Sequence, residues 1–546
     1  MSPTVDEAHY VGIGKRLLEE GDWGVGGAIL HPPLPYYLNS ILLLPLSLPE
    51  SAWNGVHPDE RGRIFFRSQP DDRVIFLARL PVMAVTLLLF GLVYREARRL
   101  FGFRGGLLAL VVAAFDPNLL AHGALATPDV PLTAAFFWAV LRFRRLHEEG
   151  GKRNAVLAGI ALGLALTAKY SAILLLGIIP YIVLHRRGGK RSFLRLLPAL
   201  AVAYLVLHIA YLPQHLHGRS GEHPLWHGVL PGPYGEGIEY QRLANAGHRA
   251  YFFGEISEEG WRAYYPVAFL VKTPVPFLVL AGMGIGLVLR RRKTAGAAWL
   301  LAPPIITFLF FVIVSRINIG LRYILPAYPF LALAAGAVGG ELGRRRTRWA
   351  ATLLAAWLVI ATIIAYPHFL SYFNEIAGGP EGGARILSDS NIDWGQDLPG
   401  LARFVEEGGY PGVYLAYFGN ADPERYGIRY RYLPGWLYKP PARVLEESVH
   451  FHPDPELVAV SRMVMHGVRL PDPDLYRWLE EYPRVGNIGH SILVYDIGGD
   501  PAAHEKLARA YKMAGRTDLF RDELLWSVRK ERKAEGRDDR RGAGRR

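Results

Sequence analysis

The chain has 546 residues, of which 51% are hydrophobic and 20% are charged, and it contains no cysteine. The lack of cysteine excludes disulfides and thiolate metal sites. The apolar residues form blocks long enough to cross a bilayer, at about 20 residues per helix. Although the net charge is +13, the Arg and Lys residues cluster in short runs between these blocks, which is typical of membrane orientation and argues against nucleic-acid binding.

The chain begins with MSPTVDEAHY, in which Asp6 and Glu7 form an acidic pair ahead of aromatic and proline-rich sequence. Taken alone, such a pair is most simply interpreted as solvated loop charge. Residues 33–49, which are short, apolar and rich in proline, predict a helix lying on the membrane interface. Residues 1–73 are therefore predicted to be a first loop that contains an interfacial helix.

Ten apolar segments predict an α-helical polytopic bundle over residues 74–366, with a loop at 214–266. They lie near residues 74–94, 106–126, 130–142, 155–168, 171–185, 196–213, 267–289, 297–314, 322–342 and 349–366. Every second loop is strongly basic, which predicts that those loops are cytoplasmic and that residues 1–73 and 367 onward are not. An additional membrane helix upstream of Met1 is expected on this count; a native outside N-terminus is the alternative.

After residue 367 the pattern becomes that of a soluble α/β domain, predicted over residues 367–515. Buried strands are predicted at ARILSDS, GVYLAYF, LVAVS and SILVYDI, and helices at QDLPGLARFVEEGG and from Pro501 to about Gly515. The remaining residues, 516–546, are strongly basic and are predicted to be disordered.

Ionisable side chains collect at one predicted rim of the bundle, and such groups are functional candidates by default in a membrane protein. They are Asp6, Glu7, His31, Asp129, Lys169, Lys272 and Arg322. Cations gathered with carboxylates suit a reaction on a lipid-linked phosphate, in which a carboxylate takes a proton from an acceptor hydroxyl. Simpler interpretations stay open: Asp129 caps a helix, the lysines snorkel to the interface, and Arg322 anchors a helix end.

Two further clusters are weak metal candidates. His215, His217, His223 and His227 lie in one predicted loop, but their spacing matches no zinc pattern. SDSNIDWGQD places Asp389, Asn391 and Asp393 at intervals that resemble a calcium loop, yet the glycine is one position late and the twelfth position carries no Glu. A turn that leads into a helix headed by Asp397 is the better interpretation. No cofactor is required by these patterns, and a divalent metal ion stays possible.

Several stretches resemble, in order, the protein O-mannosyltransferase and aminoarabinose-transferase group of C-type glycosyltransferases, which use polyprenyl-phosphate sugars. The similar stretches are DEAHYVGIGKRLLEEGDW, HPPLPYYL, TPDVPLTAAFF, LTAKYSA, YYPVAFLVKTP, LRYILPAYPFL and YFNEIAGGPEGG with SDSNIDWGQDL. The fold class implied is a C-type helical membrane protein with a C-terminal α/β extracytoplasmic domain.

By this resemblance Asp6 is the catalytic base, Glu7 shapes the acceptor site and Asp129 is the second rim carboxylate. His31, where many relatives carry lysine, joins Lys169, Lys272, Arg322 and Tyr323 as the residues that bind the lipid phosphate and sugar.

The implied activity is inverting transfer of a sugar from a polyprenyl phosphate or diphosphate to a hydroxyl or amine of a glycan, lipid or protein. The implied location is the bacterial inner membrane, with the site facing outward. The alternatives are a flippase or transporter of lipid-linked glycans and a catalytically silent glycan-binding relative.

Overall fold

The computed structural model describes most of the chain. The described residues are 1–25, 27–47, 58–68, 72–184, 194, 196–213, 229–245, 247–290, 299–343, 345–436, 438 and 440–534. The four histidines predicted as a weak zinc cluster, at 215–227, lie outside them.

The chain divides into two units, one formed by residues Asp6–Asn391 and the other by Met1–Val5 together with the chain from Ile392 onward. This boundary differs from the predicted one at residue 367. Residues 367–391 belong with the helices because they bond to them: Asn374 Nδ2 donates to the carbonyl oxygens of Leu270 and Thr273 at 2.6 and 2.8 Å.

The first unit is almost entirely helical. Its α-helices are α1 (Val5–Glu20), α2 (Pro33–Ser40), α3 (Pro58–Ser68), α4 (Arg73–Ala114), α5 (Pro117–Gly123), α6 (Asp129–Glu149), α7 (Lys152–Ala168), α8 (Leu175–Leu184), α9 (Leu196–Ala210), α10 (Gly232–Ala244), α11 (Tyr264–Lys272), α12 (Val275–Arg290), α13 (Ala302–Ile313), α14 (Tyr328–Gly339), α15 (Arg345–Ala365) and α16 (Gly379–Gly383). A short hairpin pairs β1 (Ala250–Phe252) with antiparallel β2 (Glu255–Ser257).

Each of the ten predicted apolar segments contains helix, although their lengths differ. Among the described residues, three helices are long and apolar enough to cross a bilayer: α4, Leu321–Gly339 and α15. The pair α11 and α12, bent by 109°, makes a fourth if it is counted as one span. Gly102 interrupts α4 with φ of 78°, so α4 consists of two helices that meet at a kink, in agreement with the two segments predicted there.

Small residues let the central helices approach closely. An added Cβ at Gly284 in α12 would lie 1.8 Å from the carbonyl oxygen of Ala334 in α14. Close backbone approach at small residues is typical of helix packing in membranes. Residues of α14 are buried along its whole length, so this helix lies in the centre of the bundle.

The second unit is an α/β domain built on a five-stranded mixed sheet. Its strands are β3 (Val413–Phe418), β4 (Tyr430–Trp436), β5 (Leu457–Ser461), β6 (Arg484–Ile488) and β7 (Ile492–Asp496), in the order β4-β3-β5-β7-β6. Strands β4, β3 and β5 are parallel, β7 is antiparallel to β5, and the edge strand β6 is antiparallel to β7. Its helices are α17 (Leu398–Glu407), α18 (Ala442–Ser448), α19 (Arg462–Met465), α20 (Pro501–Met513) and α21 (Thr517–Ala534).

The predicted fold class is confirmed: this is an α-helical membrane protein with a small C-terminal α/β domain. GVYLAYF, LVAVS and SILVYDI are strands whose side chains are buried. Two local predictions are wrong. ARILSDS is a turn with one isolated bridge at Leu387, and residues 517–534 form α21 instead of a disordered tail. Helix α21 is ordered because its Asp522 and Glu523 pair with the fully buried Arg431.

Candidate active site

The helical unit contains a cavity of about 530 Å³ that is lined by both polar and apolar side chains. Its charged and polar lining includes Asp6, His31, Lys169 and Arg322. Its apolar lining includes the following side chains: Leu30, Ile173, Ile238, Phe310, Phe311, Val314, Ile317 and Ile319. A pocket with both kinds of lining can admit a molecule that carries an anionic group and an apolar group.

Asp6 is presented by the first turn of α1. Its carboxylate Oδ2 accepts a hydrogen bond from Arg322 Nη1 at 2.8 Å, and 30% of the side chain stays exposed. Tyr10, four residues later on the same face of the helix, also lines the cavity. Asp6 is therefore paired with a cation and open to the cavity, so the interpretation as solvated loop charge does not hold.

Asp129 and Lys169 form a buried ion pair. Asp129 is the first residue of α6 and Lys169 directly follows the last residue of α7. Lys169 Nζ donates to Asp129 Oδ1 at 2.7 Å. Among the described residues, Oδ1 bonds to Lys169 and Oδ2 accepts no hydrogen bond, so the carboxylate caps no backbone N–H and the simple capping interpretation is wrong. Lys169 is one of the described residues that line the cavity and Asp129 is not, so Asp129 contacts the cavity only through its bonded neighbours.

Arg322 and Tyr323 lie in the 3₁₀ turn that leads into α14. Arg322 Nη1 is 2.8 Å from Asp6 and 4.0 Å from Asp129 Oδ2. Lys169 Nζ lies 4.3 Å from the centre of the Tyr323 ring, within the range of a cation–π contact. Two cations and two carboxylates therefore form a continuous chain in the order Lys169, Asp129, Arg322, Asp6. Their charges cancel, so an entering phosphate would compete with the carboxylates for the cations.

Glu7, predicted to shape the acceptor site, is not among the described residues that line the cavity. Its fully buried carboxylate accepts two bonds at 2.7 Å from Arg79 and one at 2.8 Å from the backbone N–H of Ala126. These contacts tie α1 to α4 and to the segment before α6. Glu7 is a structural residue that holds its neighbour in place.

Lys272, predicted to bind substrate, is also bonded within the fold. Its ammonium group, 2% exposed, donates to the carbonyl oxygens of Leu370 and Asn391 at 2.8 and 2.6 Å. It is the last residue of α11, where side chains of Asn118 and Asn374 donate to the carbonyl oxygens that end the helix. Neither lysine snorkels to an interface, and Lys272 is not among the described residues that line the cavity.

His31 lines the cavity, with its ring centre 5.2 Å from that of Tyr10. Its Nδ1 is buried and has no hydrogen-bond partner among the described residues. Burial, and then the positive charge of Lys169, lower the pKa of His31 well below its ordinary value. The ring is therefore neutral near pH 7 and can donate a hydrogen bond without adding charge.

The weak metal candidates do not fit a cation site. The two oxygens of Asp393 accept backbone N–H groups of Gly395 and Met463. The side chain of Asn391 accepts from the N–H of Leu321 and donates to Tyr264. Asp389 Oδ1 accepts from the N–H of Ser390. Over the described ranges, no three His, Asp or Glu side chains converge as metal ligands.

Two contributors to the site were missed from sequence. Tyr10 follows Asp6 by one helical turn, so helical spacing would have found it. Arg79, in VIFLARLPVMAV, is a charge within an apolar run, and the rule that flags intramembrane charges applies to it equally.

Residues 71–213 match a family model, that of dolichyl-phosphate-mannose-protein mannosyltransferase. The protein is a membrane glycosyltransferase. The resemblance inferred from sequence is thereby confirmed, and this segment of the transferase contains Asp129 and Lys169.

Two solved structures are similar to the transferase: ArnT from Cupriavidus metallidurans bound to undecaprenyl phosphate, and the same protein in the apo state. Each is 16% identical with a TM-score of 0.45. The match to the first structure covers 90% of this chain and 94% of the ArnT chain, and the match to the second covers 91% of this chain and 94% of the ArnT chain. No curated protein matches the sequence.

Proposed function

We propose that this protein transfers a sugar from a polyprenyl-phosphate or diphosphate donor to an acceptor hydroxyl or amine on the extracytoplasmic face of the bacterial inner membrane, with inversion. The observation that carries the proposal is Asp6, an accessible carboxylate that lines the same cavity as Lys169 and Arg322. A base and two cations in one pocket suit attack by a weak nucleophile on a phosphate-linked sugar.

The reaction is a single displacement. The acceptor oxygen forms a bond to the anomeric carbon while the bond from that carbon to the phosphate oxygen breaks, and the acceptor proton goes to Asp6. Attack from the face opposite the leaving phosphate inverts the configuration. The phosphate leaves with one more negative charge as Asp6 loses one, so Lys169 and Arg322 stabilise the leaving group.

The remaining cavity residues bind and orient. Tyr323 and the neutral His31 ring offer hydrogen bonds to the phosphate or sugar, and the apolar side chains of Phe310, Phe311 and Val314 shield the reacting atoms from water. A divalent cation stays a prediction from sequence. Its test is transfer by the full chain before and after chelation and re-addition of Mg²⁺ or Mn²⁺.

Asp6→Asn tests the role of the base. General base catalysis contributes roughly 10²–10⁴-fold, so kcat should fall by that factor while the variant stays monodisperse in detergent. Transfer is measured with the full chain, polyprenyl-phosphate sugars and a panel of acceptors. Asp22→Asn is the matched control because Asp22 pairs with Arg16 beyond the end of α1. Wild-type turnover by Asp6→Asn would sink the assignment.

The acceptor class is tested by mass spectrometry of glycoproteins and glycolipids from cells with and without the gene. The proposal expects one glycan or glycolipid to lose a single sugar residue. No change in any glycan would favour a lipid-linked glycan transporter or a silent glycan-binding protein.

A further inference from the structure

Asp129 uses only one of its two carboxylate oxygens for hydrogen bonding. Oδ1 accepts from Lys169 at 2.7 Å, whereas Oδ2 is buried and has no hydrogen-bond partner among the described residues. The residue is 1% exposed, so water from the cavity is largely excluded. A buried carboxylate oxygen without a donor is costly, and such a group calls for an explanation.

A second cation, Arg322, lies close to that oxygen but is bonded to another carboxylate. Arg322 Nη1 lies 4.0 Å from Asp129 Oδ2 and 2.8 Å from Asp6 Oδ2. A shift of about 1 Å would bring the guanidinium within the hydrogen-bond distance of Asp129, at about 2.7–2.9 Å for an ionised pair. One cation therefore lies between two carboxylates and bonds to one of them.

The two carboxylates differ in what they gain from Arg322. Asp6, with 30% of its side chain exposed, can be solvated by cavity water or by an acceptor hydroxyl when the arginine leaves. Asp129 has no such alternative, because its side chain is wholly buried. Leaving Asp6 without Arg322 therefore costs less free energy than leaving Asp129 without a cation.

Arrival of a phosphate disturbs this balance at Lys169. The ammonium lines the cavity, and in turning toward the phosphate it weakens its bond to Asp129. The negative charge then left on Asp129 attracts the other cation in reach, which is Arg322. Because a guanidinium carries five donors, Arg322 can bond to Asp129 Oδ2 and still donate to the phosphate.

We propose that Asp129 is a positioning residue that draws Arg322 away from Asp6 when a lipid phosphate enters, so that the base is released only in the loaded site. This inference rests on the proposed function and adds to it an order of events. The donor binds first, and the acceptor hydroxyl then takes the place of Arg322 at Asp6. Without the donor, Arg322 stays hydrogen-bonded to Asp6.

The direct test is a structure of the full wild-type chain in lipid nanodiscs with undecaprenyl phosphate as the probe. Arg322 is expected within hydrogen-bond distance of Asp129 Oδ2 and no longer of Asp6. Arg322 still bonded to Asp6 in the loaded site would overturn the inference. This test needs no turnover and no variant that has to fold.

The kinetic test is a double-mutant cycle of Asp129→Asn and Arg322→Gln at saturating donor. Asp129→Asn alone should lower kcat by roughly 10–100-fold and leave the donor KM within about threefold, since the lost step follows binding. In the Arg322→Gln background the same change should have almost no effect on kcat, because no arginine is left to move. A purely structural role would lower kcat equally in both backgrounds and would overturn the inference.

Two outcomes separate this inference from the proposed function. Absence of transfer by the wild-type chain with any donor would remove both. Wild-type transfer together with an undiminished kcat in Asp129→Asn would remove only the role of Asp129. Asp22→Asn again serves as the control, since that carboxylate pairs with Arg16 and lies outside the described cavity lining.

Discussion

At the scale of single residues, Asp6 and Glu7 are neighbours in the chain with opposite environments. Successive residues of an α-helix point about 100° apart. Asp6 therefore faces the cavity, while Glu7 is fully buried against Arg79. The sequence shows two equivalent carboxylates, and only the direction of α1 decides that one lines the cavity and the other is buried.

Glu7→Gln should destabilise the fold without a specific effect on catalysis. It leaves the Arg79 guanidinium, itself 12% exposed, without its charged partner, and breaking one side of a buried pair costs about 3–5 kcal/mol. The expected result is a clear fall in Tm of the full chain in detergent, with donor KM unchanged in the molecules that stay folded. An unchanged Tm together with lost turnover would instead support the predicted role of Glu7 in the acceptor site.

At the scale of elements, α21 shows how tertiary contacts order a segment that composition describes as disordered. The residues of 517–534 are mostly polar and charged, but several of these charges are paired. His504 in α20 bonds to Glu523 in α21 at 2.6 Å and to Glu456 at 3.2 Å. Burial and pairing of opposite charges, invisible to local composition, hold this helix against the sheet.

This contact predicts a pH dependence of α21. Burial lowers the pKa of His504, but hydrogen bonds and attraction from Glu456 and Glu523 outweigh it and raise the pKa to about 9. Because the pKa of His504 is higher in the folded than in the unfolded state, its protonation stabilises the fold. This stabilisation is complete below the pKa of the unfolded state, near 6.5, and is lost as the pH rises through about 9. Hydrogen exchange of residues 517–534, corrected for the intrinsic rate, should therefore lose protection between pH 7 and pH 10.

His504→Gln should show weak protection of α21 already at pH 7 and no further step up to pH 10. Lys506→Gln is the control, because Lys506 lies on the same helix but makes an exposed contact to Glu481. A step of equal size in wild type and in His504→Gln would show that another group controls the helix.

At the scale of the whole molecule, the alternation of basic and non-basic loops predicts which face each unit occupies. The orientation places residues from 367 onward outside the cytoplasm and the region around Arg98 inside it. Because the chain has no cysteine, single cysteines introduced at exposed positions report this directly.

Lys506→Cys should react with a membrane-impermeant maleimide in cells whose outer membrane alone is opened, and Arg98→Cys only after the inner membrane is opened. Arg98 is exposed and 38% of the Lys506 side chain is exposed, so both positions can be labelled in the folded protein. The reverse pattern would place the proposed site on the cytoplasmic face and contradict the proposed use of an extracytoplasmic acceptor.

The sequence by itself determined the class of the molecule, because long apolar blocks, basic loops and alternating strands are local signals. It also singled out Asp6, Lys169 and Arg322, which the structure places around one cavity, since charges are rare enough in apolar surroundings to be noticed. It did not separate these from Glu7 and Lys272, which carry the same signal. That separation depends on which groups lie within about 3 Å of each charge, and those groups are up to 316 residues away in the chain, as for Arg322 and Asp6. Only the tertiary structure decides which buried charges pair with backbone and which face a cavity.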